Sequence, residues 1–268
     1  MSLLAPLVVA ALAWFVSTGL VFRLDSLPRA TFRWSLGAAT IVAGGAVWAI
    51  VRTAGDIGPT AAYVGFGAAL AVWGWHELSF LTGALTGPNR APATPGLHGV
   101  RRFVQATRTL IHHEVALALT AVVIAALTWH QPNQTATLTF ALLFALRLST
   151  KLNIFAGVPQ PASDLLPARL GYLKSYFRQR PFGPGMAISF AAVLGLAALF
   201  AARTLGATPG TAARTGDCLL FALTVLGIVE HLFLALPLRD AALFTWAAPA
   251  NLQPKTAPVL GDGRPKYL

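Results

Sequence analysis

The chain has 268 residues, of which 56% are hydrophobic and 11% charged, with a mean hydropathy of +0.64 and a formal charge of +11. A soluble domain carries about a quarter charged residues, so this composition excludes an ordinary water-soluble domain and indicates an integral membrane protein. The single cysteine, Cys218, excludes an intramolecular disulfide or a CxxC metal site and reads as a packing residue; no nucleic-acid motif accompanies the basic charge.

The first run, "MSLLAPLVVAALAWFVSTGLVF", has no basic segment ahead of it and arginines behind it. It reads as an uncleaved span with its N-terminus outside, not as a signal peptide. Crossing about 30 Å of hydrocarbon takes about 20 mostly apolar helical residues. Seven stretches qualify: 3–22, 34–51, 60–82, 109–129, 134–155, 186–204 and 216–238. Lipid offers no water to backbone groups, so each is expected to be helical. The expected fold class is therefore an all-α, polytopic membrane bundle of about seven transmembrane helices, a single domain over 1–238.

Two long connections differ in character. "GPNRAPATPG" within 83–108 reads as an irregular loop, whereas "SDLLPARLGYLKSYFRQR" (163–180) intersperses Leu, Tyr and Phe with Arg and Lys, as a helix lying on the membrane face does. The tail, 239–268, begins with a segment that places Phe244 and Trp246 in an interfacial aromatic belt and continues as mobile chain. Alternate connections hold 15 Lys and Arg on one side against 3 on the other. By the positive-inside rule the 15 are cytoplasmic, which puts the N-terminus outside and the C-terminus in the cytoplasm.

All three glutamates fall inside expected spans, each beside histidine: "WHE" (75–77), "HHE" (112–114) and "EH" (230–231). Counted from the span ends, Glu77, Glu114 and Glu230 lie roughly 8–12 Å inside the cytoplasmic boundary. Span five adds Arg147, Lys151 and Asn153 to the same half, the two cations one helical turn apart. A charge in a span costs about 2.5–3.5 kcal/mol by insertion scales and normally finds a partner within the bundle. The expected intramembrane polar cluster is thus His76, Glu77, His112, His113, Glu114, Arg147, Lys151, Asn153, Glu230 and His231. Adjacent helical residues point about 100° apart, so at most two of His112, His113 and Glu114 face inward.

Four chemistries remain open for this layer. It is a self-neutralising network that fixes helix register; a metal site, di-iron or other, drawn from Glu77, Glu114, Glu230, His76, His113 and His231; a tetrapyrrole site with an axial histidine; or a proton or ion relay. The Glu-x-x-His spacing of di-iron bundles is absent. Trp73 and Trp75 would wall a ring-shaped ligand or anchor the interface. His98, in the irregular loop, and His130, at the outer boundary, read as solvated residues.

The words "WGWHELSFLTGALTGP" (73–88), "KLNIFAGVPQP" (151–161), "YLKSYF" (172–177) and "EHLFLALPLRDAALFTWA" (230–247) together resemble the PuhE family of photosynthetic complex assembly proteins of phototrophic bacteria. The resemblance runs from span three to the tail. It implies a multi-span protein of the inner (intracytoplasmic) membrane, encoded with the reaction-centre H-subunit. Such a protein assists assembly of the reaction centre and core antenna or modulates bacteriochlorophyll supply. Its implied partners are reaction-centre and antenna subunits or pigment-biosynthesis proteins, beside the lipid bilayer and no nucleic acid. The resemblance brings no catalytic mechanism to these residues. For a pigment-handling protein, His76, His113 and His231 would be magnesium ligands and Trp73 and Trp75 ring contacts. The rival reading is a membrane-embedded di-iron oxygenase or hydroxylase acting on a pigment or lipid-soluble substrate.

Overall fold

A computed structural model describes residues 3–161 and 166–236. The tail, with Phe244 and Trp246, lies outside the described residues, as do residues 162–165 of the second long connection. Eight α-helices follow one another: α1 (Leu4–Asp25), α2 (Phe32–Thr53), α3 (Pro59–Leu81), α4 (Gly99–Thr107), α5 (Ile111–Leu127), α6 (Thr135–Ala156), α7 (Pro184–Gly206) and α8 (Ala212–Ala235). Short 3-10 runs at Arg29–Thr31 and Ala168–Tyr176 complete the helical content. Among the described residues there is no strand, only one isolated bridge between Val158 and Gln179. The chain is an all-α membrane bundle.

Every expected span contains one long helix, but the helices are not equally suited to lipid. By length and composition five can cross a membrane: α1, α2 together with its leading 3-10 turn, α6, α7 and α8. A sixth is added when α4 and α5, bent by 69° at their junction, count as one span. Helix α5 alone has only 17 residues. Helix α3 has 23, yet its glycines, tryptophans, His76 and Glu77 dilute its apolarity. Its position supplies the reason: 14 of its residues are buried, and it packs against α1, α2, α6 and α8. A helix sheathed by protein need not be apolar all round. In α2, by contrast, only Ala46 and Ile50 are buried, and Trp34, Ile41, Val42 and Trp48 are exposed, as lipid-facing residues are.

One end of the bundle is closed by a cap built from the two long connections. Helix C-termini leave carbonyls without intrahelical donors, and arginines of the cap supply them. Arg169 donates from Nε to Leu81 O at 2.7 Å and from Nη2 to Asp25 O at 3.0 Å, and is ion-paired with the Asp25 carboxylate. It thereby ties the ends of α3 and α1. Arg102 is buried, donates to Tyr176 O at 2.6 Å and Phe155 O at 3.4 Å, and so serves the end of α6. Gln160 N donates to Leu234 O at 3.0 Å, at the end of α8. Gly157 turns the chain out of α6 with φ 128°, a conformation L side chains rarely adopt.

The cap departs from the sequence-based picture in two places. Residues 168–176, interrupted by Gly171 and preceded by Pro167, form a 3-10 run instead of an α-helix. Leu170, Leu173 and Tyr176 are buried there, with the two leucines packed against Phe80 and Leu81. Second, residues 87–96 are irregular as expected, but the same connection ends in α4, which turns Arg102 inward and leaves Val100, Phe103 and Val104 exposed. At the opposite end, Asn133 of the "HQPN" turn closes on α2. Its backbone N–H donates to Ala54 O and its side chain to Thr53 O, each at 3.0 Å.

Candidate functional site

Helices α3, α6 and α8 run in the same direction and meet closely because glycine removes side-chain bulk where they touch. A Cβ added at Gly65 of α3 would lie 3.5 Å from Ala136 N, and one at Gly216 of α8 would run into Thr135 Oγ1. Thr135 at the start of α6 is thus clasped from both sides. Counting from this triple contact, Glu77 lies twelve residues on, Arg147 twelve and Glu230 fourteen, or about 18–21 Å along the axes. A second small residue holds the register just before that level: a Cβ at Gly227 would lie 2.8 Å from Leu146 Cδ1. Gly216 and Gly227 are eleven residues apart, about three full turns, and so face the same way.

This register delivers the charged side chains to one another. Arg147 Nη1 donates to Glu230 Oε1 at 2.8 Å, and its Nη2 lies 3.6 Å from Glu77 Oε2, so one guanidinium joins all three helices. One turn later, Lys151 Nζ donates to Glu114 Oε1 of α5 at 2.6 Å. Lys151 Nζ also lies 5.8 Å from the centre of the Phe80 ring. A planar fork suits the bridging position, where two carboxylates must be met at once. Glu77 Oε1 and Glu114 Oε2 are buried with no partner among the described residues.

The histidines occupy three different environments. His231 is fully buried with both nitrogens engaged: Nδ1 with Gly227 O at 2.8 Å and Nε2 with Ser149 Oγ at 3.0 Å. The carbonyl requires Nδ1–H, so Nε2 accepts from the serine. His76 Nε2 pairs with Thr120 Oγ1 of α5 at 2.9 Å, and its ring centre lies 6.4 Å from that of His113. His113 is fully buried with neither ring nitrogen partnered, and the Phe80 ring lies 4.7 Å from it, centre to centre. Asn153 donates to Ser189 Oγ of α7 at 2.7 Å and to Ser149 O at 3.0 Å.

The structure therefore brings together Glu77, Glu114, Glu230, Arg147 and Lys151, with His76 and His113 beside them and His231 and Asn153 in an adjoining hydroxyl network. His112 is exposed and stands outside the cluster, since one residue from His113 the helix has turned by about 100°. Trp73 is buried against Phe140 at 5.4 Å, centre to centre. Trp75 donates Nε1–H to Thr40 Oγ1 of α2 at 2.9 Å, so both tryptophans have protein partners. Sequence reasoning missed Ser149, Ser189, Thr120 and Phe80, whose residue types carry no signal in an apolar run. It also missed Asp25 with Arg169, and Asp217 with Arg203, the latter pair at 3.0 Å.

Among the described residues no three His, Cys, Asp or Glu side chains are grouped to hold an ion. Arg147 and Lys151 each meet one oxygen of the carboxylates they contact, and Glu77 Oε1 and Glu114 Oε2 remain without a partner among the described residues. His113 and His231 have no accessible surface. What the arrangement does chemically is pair three carboxylates with two cations, a formal balance of −1, and tie five helices together near one level.

A protein of Rhodobacter capsulatus described as "Uncharacterized 30.4 kDa protein in puhA 5'region" is 36% identical over 247 residues, covering 90% of this chain and 89% of its own. No solved structure matches the chain. Residues 1–255 match the family described as "Protein of unknown function (DUF3623)", and the chain belongs to that family.

Proposed function

We propose that this protein is an inner-membrane assembly factor of phototrophic bacteria, of the PuhE type. It assists formation of the reaction centre and core antenna or modulates bacteriochlorophyll supply to them. The observation that carries this reading is the naming of a 36% identical relative for its place beside puhA, together with the shared words around the polar layer.

The bundle's design agrees with a scaffold better than with a catalyst. The charges of its polar layer are paired with each other, and basic residues are gathered on the capped end, where Arg90, Arg101, Arg108, Lys174 and Arg180 are exposed. With the N-terminus periplasmic and the C-terminus cytoplasmic, that end faces the cytoplasm. There it meets reaction-centre or antenna subunits, or proteins of pigment synthesis, through complementary charge. Helices α1 and α2 offer the lipid-facing side to transmembrane partners. The polar layer keeps the bundle in one register while it docks.

The experiment is deletion of the gene in a phototroph, followed by absorption spectra of isolated membranes. Reaction-centre and core-antenna bands should fall relative to total bacteriochlorophyll and return on complementation. Unchanged bands in the deletion strain, grown under phototrophic conditions, sink the assembly reading.

A further inference from the structure

A pocket of about 230 Å³ opens at the capped end, between the start of α2, the end of α3 and the 168–176 run, lined among others by Arg29, Phe32, Thr86, Arg90, Arg169 and Tyr172. Three guanidiniums face it against one carboxylate. Arg169 is already ion-paired with Asp25, and its guanidinium lies 4.7 Å from the Phe32 ring centre. Arg29 and Arg90 have no carboxylate partner among the described residues. Arg90 is steadied over the opening by a hydrogen bond to Gly83 O at 3.2 Å.

The floor of the pocket is built, not incidental. Thr86 is 3% exposed, and its hydroxyl has no partner among the described residues. Its backbone is fixed by the bond from His113 N–H to Thr86 O at 3.1 Å. The Tyr172 hydroxyl, also buried, has no completed hydrogen bond either. Two buried hydroxyls that face only each other, without a completed hydrogen bond, beneath two arginines with no carboxylate make an anion site, since an unmet buried hydroxyl is costly and charge-assisted bonds are the strong ones. A phosphate group accepts from both kinds of donor at once. The pocket's position selects the source: α2, which forms one wall, exposes Trp34, Ile41 and Val42 along its length, so the opening lies where a lipid-facing helix reaches the membrane surface.

We propose that this pocket is a phosphate-group site that holds the headgroup of an anionic phospholipid at the capped end of the bundle. The inference requires only that the chain lies in a membrane and is independent of the assembly role. The acyl chains would run along α2, and the bound lipid would link α2 to the cap, an element that α2 otherwise touches little.

The test is native mass spectrometry of the full chain in detergent, titrated separately with phosphatidylglycerol, phosphatidylcholine and inorganic phosphate. The variants are Arg29→Gln with Arg90→Gln, Thr86→Val alone, and Arg52→Gln at the opposite end as a control. The two arginines are exposed, so their loss leaves the fold intact; Thr86→Val keeps the shape and removes only the hydroxyl. Saturable phosphatidylglycerol binding should weaken at least about tenfold in the arginine double variant, weaken in Thr86→Val, and persist in Arg52→Gln. Inorganic phosphate binding with the same sensitivity, and no preference for phosphatidylglycerol, supports the site and assigns it to a soluble phosphate. Equal binding to all variants, or phosphatidylglycerol held no better than phosphatidylcholine with no phosphate bound, overturns it.

Discussion

Lys151 Nζ and Glu114 Oε1 meet at 2.6 Å between α6 and α5, with both side chains largely shielded. The pair holds α5, the shortest of the long helices, against the bundle's interior. Either charge left alone would cost about 2–3 kcal/mol, while the pair as a unit is worth much less than that sum. Glu114→Gln and Lys151→Met should each destabilise the protein, and the double variant should recover part of the loss, with a coupling of about 1 kcal/mol. Unfolding in mixed micelles, read through a double-mutant cycle, measures it. Strict additivity would show that the two residues act separately.

Arg147 differs because it serves two carboxylates, at 2.8 Å and 3.6 Å. Arg147→Gln strands Glu77 and Glu230 together, whereas Glu230→Gln leaves the guanidinium with Glu77. The arginine variant should therefore be the less stable by about 1–3 kcal/mol, at the low end because the Arg147 side chain is 40% exposed. Arg147→Lys should fall between them, since a point charge cannot reach both acids as a fork does. The ranking of thermal midpoints tests this; a Glu230→Gln protein as unstable as Arg147→Gln contradicts the bridging role.

The polar layer was legible in the sequence for one physical reason. Glutamates are so costly in apolar runs that three of them at matching depth must be met by something, and Arg147 and Lys151 were the cations at hand. Which cation meets which acid was not legible, because it depends on the register fixed at Gly65, Thr135 and Gly216, far from the charges. The cap was less readable still. Arg169 reaches Asp25 across 144 residues, and no local pattern announces such a contact. Helix α4 was hidden because its arginines make 99–107 look like a solvated loop until Arg102 is seen turned inward. Span three was read as one lipid-crossing helix among equals, when its polar residues reflect a helix surrounded by others.

Gly87 is pressed against the backbone at the start of α5, where an added Cβ would run into Arg108 O and lie 2.6 Å from Thr109 C. Backbone cannot yield as a side chain does, so Gly87→Ala should push the 83–98 loop away from α5. The expected loss is about 1–3 kcal/mol, in the range of overpacking. Hydrogen exchange should quicken at His113 N–H, whose acceptor is Thr86 O. Wild-type protection at that amide in the variant would mean that the junction has slack.

Helix α4 inverts the usual pattern, with Arg102 buried and Val100, Phe103 and Val104 outward. A short helix with that outward face, bent by 69° from α5, fits the plane of the membrane surface. A nitroxide placed at Phe103→Cys in a Cys218→Ser background should be broadened by oxygen, which concentrates in lipid. One at Arg101→Cys should respond to a water-soluble relaxant. Equal exposure of both sites to the aqueous relaxant would put α4 in solution instead.

Orientation ties the capped end to its proposed partners. The capped end, counted with the turn from α1 to α2, holds 11 of the 14 arginines and lysines that the described residues carry besides Arg147 and Lys151, and the turn joining α5 to α6 holds none. Positive charge is retained on the cytoplasmic side, so Ala93, half-buried in the cap, should be cytoplasmic and Gln131, exposed in that turn, periplasmic. In a Cys218→Ser background, Gln131→Cys should react with an impermeant maleimide added to intact spheroplasts, and Ala93→Cys only after lysis. The reverse pattern would move the basic face to the periplasm. Docking to cytoplasmic subunits through it would then be impossible, while the internal ion pairs and the phosphate pocket would stand unchanged.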